Sequence, residues 1–179
     1  MTQFQMLFGE RIRLRALEPY DVDTLYKWEN DTTIWKASNT ITPFSRFVLE
    51  QYIASSHLDL YTNKQLRLMI TNKEGKDVGA IDLFDYDPQH QRAGIGILIA
   101  SPEDRGKGYA SEALTVLIQY CFHQLHLHQL YCTVTVDNED SILLFQKNKF
   151  TITGIRKEWI RVGDTFVDEY LMQLIRKGH

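Results

Sequence analysis

Arg105-Gly-Lys-Gly-Tyr-Ala110 separates two runs of different period, and that change decides the fold. Before it, Ile95-Gly-Ile-Leu-Ile-Ala100 is short, apolar and β-branched, and Ser101-Pro102 stops it, so it predicts a buried strand. After it, Ala110, Ala113, Leu114, Leu117, Ile118, Cys121, Phe122 and Leu125 recur at three- and four-residue spacing, one face of a helix. The loop therefore passes a strand to a helix N-terminus, where unpaired N–H groups point outward and the helix dipole favours negative charge. Gly106 and Gly108 remove the Cβ atoms that would keep a phosphate from those amides, while Arg105 and Lys107 add positive charge. The stretch predicts a phosphate cradle.

Two common cradles are a poor match. A nucleotide P-loop ends in Gly-Lys-Ser/Thr, whereas Lys107 is followed by Gly108. The dinucleotide fingerprint is met only in part by Gly106-Lys-Gly108-Tyr-Ala-Ser111, and His128 and Gln129 stand where its acidic residue belongs.

Outside the loop, alternating Ile12 and Leu14 predict a strand over Arg11 to Ala16, then a helix from Glu18 to Glu29 and a second from Phe44 to Ser55. Strands follow at Gln65 to Thr71, Asp77 to Tyr86 and Arg92 to Ala100, with a hairpin turn at Asn72 to Lys76. After the long helix come a strand from Gln129 to Val136, a helix from Glu139 to Lys147, and strands Phe150 to Arg161 and Thr165 to Ile175. The order β-α-α-β-β-β-α-β-α-β-β is an α/β domain on a mixed sheet of about seven strands.

Composition bounds the function. The chain has 179 residues, 44% hydrophobic and 24% charged, enough for one substantial core. A net charge of −3 gives no argument for nucleic acid or an anionic membrane. No run is long enough to span a bilayer, and Met1-Thr-Gln-Phe-Gln lacks the basic start of a leader, so a cytoplasmic protein is expected. Phe4, Met6, Leu7 and Phe8 read as an N-terminal extension that packs or is partly disordered, rather than as a membrane hook. Cys121 and Cys132 read as buried thiols. His123, His126 and His128 suit a negative helix end better than a metal, and no metal is expected.

Arg105-x-x-Gly108-x-Ala110 resembles the acetyl-CoA signature of the GNAT superfamily of N-acetyltransferases, in particular the branch of ribosomal-protein N-terminal acetyltransferases and bacterial spermidine acetyltransferases. The resemblance extends over Arg11 to Leu17, Trp28 to Asp31, Arg92 to Leu114, Leu130 to Asn138, Ser141 and Lys147 to Phe150. It implies a single domain over 1–179, helices on both sheet faces, acetyl-CoA as cosubstrate, an amine acceptor and a homodimer. It implies that the strand before the loop splays from its neighbour and that Leu98, Ile99 and Ala100 pair with the pantetheine arm, as in strand addition by a ligand. Gly94 and Gly96 would be bulge or close-approach sites. The pyrophosphate would rest on the amides of Arg105, Gly106, Lys107, Gly108, Tyr109 and Ala110, with Ser111, Ser141, Phe145 and Lys147 also at the cofactor. Asn138 would face the pantetheine arm, although it reads equally as an ordinary N-cap.

Two departures concern the chemistry. Relatives carry an acid tyrosine seven residues after the asparagine, and here that position is Phe145, which has no proton to give. Many N-terminal acetyltransferases of the branch carry a glutamate where this chain has Gly94. Asp82 is then the candidate base, through a water if distance requires, and is equally read as a solvent-facing strand residue; Asp85, of opposite parity, cannot share its face unless a bulge intervenes. Tyr109, Tyr131 and Tyr170 could replace the acid, although a tyrosine more often stays structural, with a buried ring and one satisfied hydroxyl. Lys149 stands where relatives have glycine, a strain of about 1 kcal/mol if the site is left-handed, unless Asn148 takes the turn. Trp28, Trp35, Phe44 and Phe47 could wall an acceptor site or simply pack. The acceptor is a polyamine, another small amine or a protein N-terminal amine; the alternative is a non-catalytic acyl-CoA-binding module.

Overall fold

The computed structural model describes residues 6–38 and 40–177. Phe4 of the expected extension lies outside the described residues, whereas Leu7 packs against the core and Phe8 is exposed. Strands β1 (Ile12–Ala16), β2 (Leu66–Asn72), β3 (Asp77–Asp87), β4 (Arg92–Ile99), β5 (Gln129–Thr135), β6 (Thr151–Val162) and β7 (Thr165–Ile175) form one mixed sheet in the order β1-β2-β3-β4-β5-β7-β6. Only the β4–β5 pair is parallel. Helices are α1 (Val22–Glu29), α2 (Trp35–Ser38), α3 (Arg46–Ser55), α4 (Leu60–Asn63), α5 (Tyr109–His123) and α6 (Glu139–Lys147).

The expected elements are present, with two additions and one division. α2 and α4 are single turns, too short to leave a periodic signal. The first expected helix divides into a 3₁₀ turn at Pro19–Asp21 and then α1. Asp21, almost wholly buried, sets that turn: it accepts from the Glu18 N–H at 2.8 Å and from both terminal nitrogens of Arg15 at 2.8 Å.

Side-chain alternation in the strands divides the core between the faces. Leu68, Ile70, Ile81, Leu83 and Ile95 meet Ala113, Leu114, Leu117 and Cys121 of α5. On the opposite face, Met69 packs with Leu17, Leu25 of α1, and Leu49 and Ile53 of α3. Helices thus cover both faces, as expected. Cys121 and Cys132 are buried, and burial pushes both thiols up to about 12.

α6 ends in a Schellman turn. The Phe150 N–H donates to the Phe145 carbonyl at 3.0 Å and the Lys149 N–H to the Gln146 carbonyl at 2.9 Å. The hydrophobic contact of that motif is the edge-to-face pair Phe145–Phe150, with centroids 5.1 Å apart. The left-handed residue is Lys149, at φ 72°, so Asn148 does not take the turn.

Candidate active site

The parallel ladder between β4 and β5 joins only Arg92–Gly94 to Gln129–Tyr131, although both strands continue. Beyond it the strands diverge, as expected. The Ala100 N–H donates to the Val78 carbonyl at 3.0 Å, and the Gln129 N–H to the Gln91 carbonyl at 3.2 Å. Alternation from these two bonds turns the backbone polar groups of Ile95, Ile97 and Ile99 toward the gap, and those of Thr133 and Thr135 toward it from β5. This corrects the expected pantetheine-pairing set. Of Leu98, Ile99 and Ala100, only Ile99 presents its backbone to the gap; Leu98 and Ala100 turn theirs to β3.

At the end of β4, the loop enters α5 with Gly108 as N-cap at φ 84° and Gly106 at φ 72°. A Cβ at Gly106 would meet nothing within 4 Å, whereas one at Gly108 would lie 2.5 Å from Arg11 Nη1. Arg11 holds the loop: Nη1 donates to the Lys107 carbonyl at 2.9 Å and its N–H to Glu112 Oε1 at 2.8 Å. Nothing in the sequence beyond the family resemblance pointed to Arg11. Arg105 and Lys107 are exposed, and Arg105 Nε reaches the Ile99 carbonyl at 3.4 Å. Lys107 Nζ lies 3.6 Å from buried Asp104, which also accepts from Lys76 at 2.8 Å. Tyr109 and Ala110 are half-buried in the first turn. The Ser111 hydroxyl accepts from Asn148 Nδ2 at 3.3 Å, tying α5 to the end of α6.

The gap opens into a cleft of about 600 Å³ between the sheet and α1 and α3. Trp28, Phe44 and Tyr52 line it, as do Ile97, Leu98, Thr133, Asn138, Ser141 and Phe145. Asn138 is the N-cap of α6, its Oδ1 accepting from the Ser141 N–H at 3.2 Å. Lys147 is exposed on the last turn of α6. Trp35 and Phe47 do not line the cleft: the Trp35 indole donates to the Glu29 carbonyl at 2.8 Å, and Phe47 is exposed.

Across the floor run Arg67, Asp82 and Gly96, opposed in register on β2, β3 and β4. Arg67 donates to both Asp82 oxygens, at 2.7 and 2.8 Å, and through Nη1 to Glu29 Oε1. Burial alone would lower the Arg67 pKa, but hydrogen bonding to Asp82 and the charges of Asp82, Tyr52 and Glu29 raise it, fixing the guanidinium in its charged form. Glu169, nearly buried at the edge of the cleft, accepts from Arg156 at 3.0 Å.

The acetyltransferase (GNAT) domain profile matches residues 11–151. The chain belongs to the GNAT acetyltransferase family. It is an acetyl-CoA-dependent N-acetyltransferase. It is 30% identical over 177 residues to a Bacillus licheniformis protein named uncharacterized N-acetyltransferase p20, covering 98% of each. It is 28% identical over 143 residues to the spermidine N(1)-acetyltransferase of Escherichia coli K12, covering 80% of this chain and 74% of that one. A crystal structure of spermidine N-acetyltransferase from Vibrio cholerae, in complex with CoA and spermine, shares the fold with a TM-score of 0.85. That match is 24% identical and covers 93% of this chain and 96% of the other.

The departures of this acetyltransferase have structural reasons. A Cβ at Gly94 would lie 2.3 Å from the Phe84 ring, which spans the strand and meets Tyr131 edge-on with centroids 6.0 Å apart. A glutamate at Gly94 has no room. Gly94 is thus a close-approach site and not a bulge, and the register shift lies across Phe84 to Asp87 instead. Asp82 lines the cleft, whereas Asp85 is exposed and accepts from the Tyr131 hydroxyl at 3.1 Å in a neighbouring pocket. Burial first, and that bond second, push Tyr131 up to about 12. Tyr109, Tyr131 and Tyr170 do not line the cleft; the tyrosine that does is Tyr52, its phenol raised by burial. Phe145 is 4% exposed and committed to the Schellman contact. Among the described residues no three His, Cys, Asp or Glu side chains converge as a metal site, and no helix is long and apolar enough to cross a membrane.

Proposed function

We propose that this acetyltransferase carries the acetyl group to a primary amine of low charge, a small amine or a peptide α-amine, by direct attack in a ternary complex. The observation that carries the reading is the continuity of gap and cleft: Ile97 and Thr133 belong to both. Pantetheine adds as a strand along Ile95, Ile97 and Ile99, with Leu98 and Ala100 acting through their side chains. The pyrophosphate takes the amides of Arg105, Gly106, Lys107, Gly108, Tyr109, Ala110 and Ser111, with Arg105 and Lys107 supplying charge. Asn138 caps α6 and turns its remaining polar atom to the arm beside Ser141; Lys147 meets the outer part of the cofactor.

The amine attacks the thioester carbon above Gly96; a C–N bond forms as the C–S bond breaks. The amine proton leaves through water to the pair Asp82 and Glu29, with Asp82 as base. Phe145 donates nothing, and CoA leaves as the thiolate, whose conjugate acid has an ordinary thiol pKa of about 8.5. The low-charge acceptor follows from the pairing of Glu29 and Asp82 with Arg67 and of Glu169 with Arg156: the cleft's carboxylates already face arginines. A second reading, a polyamine acceptor, is favoured by the relatives named spermidine N-acetyltransferase. The acetyl-CoA requirement and the two free thiols support a cytoplasmic enzyme, and the exposed Trp159 and Phe166 of the terminal hairpin support assembly with a second copy.

CoA release from acetyl-CoA, measured with monoamines, amino acids, short peptides, aminoglycosides and polyamines, tests this reading. Release dependent on monoamines or peptides supports it. Release with polyamines alone selects the second reading, and tight CoA binding with no release from any amine overturns both.

A further inference from the structure

We propose that Arg67 is the specificity-determining residue of the acceptor site, a built-in cation that selects against amines carrying further positive charges. The inference deepens the low-charge reading above and rests on it.

The row Arg67–Asp82–Gly96 crosses three adjacent strands toward the gap. Arg67 stands two strands from β4, about 10 Å from the line along which the acetyl group arrives. An amine bound for acetylation at Gly96 must run its remaining length over that row or beside it. A polyamine would bring a second ammonium group close to the guanidinium. Asp82 and Glu29 could have received that group, but Arg67 fills both oxygens of Asp82 and one of Glu29, and it halves their combined formal charge. The network is sheltered, with side-chain exposures of 18% for Arg67, 19% for Glu29 and 23% for Asp82, so solvent screens it less than a surface pair. The guanidinium also sits 5.5 Å from the Tyr52 ring, which fixes it against α3. Arg67 thus occupies the place that a second ammonium would take, with the same charge and the same two carboxylate partners. A monoamine or a peptide α-amine makes no such demand.

The test uses Arg67→Gln, which keeps a donor but not the charge, Arg67→Met, and Arg67→Lys, which keeps the charge. kcat and KM are measured for spermine and for a monoamine of similar length, and spermine binding is followed by calorimetry. Arg67→Gln or Arg67→Met is expected to raise the spermine-to-monoamine ratio of kcat/KM at least tenfold, chiefly through KM. The gain should shrink between 50 and 500 mM salt (roughly the range over which screening becomes strong), and Arg67→Lys should stay near wild type. A folding defect alone would lower both substrates together and produce no salt dependence. An unchanged ratio in a folded Arg67→Gln protein overturns the proposal, as does a wild type that already prefers spermine. Should no amine support turnover in the wild type, the low-charge reading fails by itself, and calorimetry still decides: tighter spermine binding by Arg67→Gln upholds the role of Arg67, and equal binding overturns it.

Discussion

On the proposed cofactor side of the cleft the available groups belong to the backbone: amides at the start of α5, the free edges of Ile95, Ile97 and Ile99, and the capped start of α6. On the proposed acceptor side they are side chains brought from separate segments: Glu29 from α1, Tyr52 from α3, Arg67 from β2 and Asp82 from β3. A backbone site is specified by glycines, caps and strand register, and it tolerates change in most side chains. A side-chain site can be rewritten by a single substitution. The difference teaches that, on the proposed assignment, cofactor binding is held apart from acceptor binding and proton transfer, which share the Arg67–Asp82 pair.

Asp82→Asn offers the largest effect and the most direct way to break that separation. Loss of a general base costs about 10² or more in rate, so kcat should fall about 100-fold. Acetyl-CoA affinity should stay within about twofold, because Asp82 touches neither the loop nor the gap edge. Steady-state kinetics with CoA calorimetry would show the split; a parallel loss of cofactor binding would mean that the two sides are one unit.

Ile97→Pro tests the opposite side. It removes an N–H that faces the gap, whereas the ladder to β3 passes through Gly96 and Leu98. One hydrogen bond is worth up to about 1.5 kcal/mol, so CoA affinity should fall about tenfold, with a melting temperature a few degrees lower from lost packing. Leu98→Pro is the contrast: it breaks the β3 ladder and should prevent folding. Equal CoA affinity in folded Ile97→Pro and wild type would remove strand addition from the mechanism.

Phe145→Tyr should be smaller still. Its hydroxyl would enter the cleft at the family's acid position, yet the ring is held against Phe150 by the turn that ends α6. A two- to fivefold rise in kcat is expected (roughly, since a moderately acidic thiol leaves without strong assistance). A rise beyond about tenfold would show that protonation of the thiolate limits turnover.

The same division explains what could be read in the chain. The glycine loop, the strand before it and the α6 cap are each local, so their residues are adjacent in sequence and their chemistry is visible there. Even so, only Ile99 of the expected trio Leu98, Ile99 and Ala100 turns its backbone to the gap, because alternation shows which side chains share a face but not which backbone groups point to which neighbour. Arg67 left no signal: it is one arginine among apolar strand residues, and its partners lie 38 and 15 positions away. Phe84 was equally invisible, since only the β3–β4 register places its ring over Gly94. Tyr52 reads in the sequence as one more apolar position on a helix until α3 docks it beside Arg67.

Lys149→Gly sharpens the comparison at its weakest point, where a backbone device carries an unsuitable residue. Lys149 sits at φ 72° in the C′ position of the Schellman turn, where glycine has no Cβ penalty. Its side chain is exposed and the turn bonds are made by backbone groups, so the replacement removes strain without removing a contact. Glycine loses more conformational freedom on folding, which offsets part of the gain. The net should be a stabilisation of about 0.5–1 kcal/mol, read as an increased denaturant midpoint at constant m-value. Activity should not change, because the turn positions Phe145 through Phe150 in both proteins. If kcat or the CoA affinity did change, the end of α6 would be transmitting backbone strain into the cofactor site, and the scaffold would be part of the chemistry rather than its support.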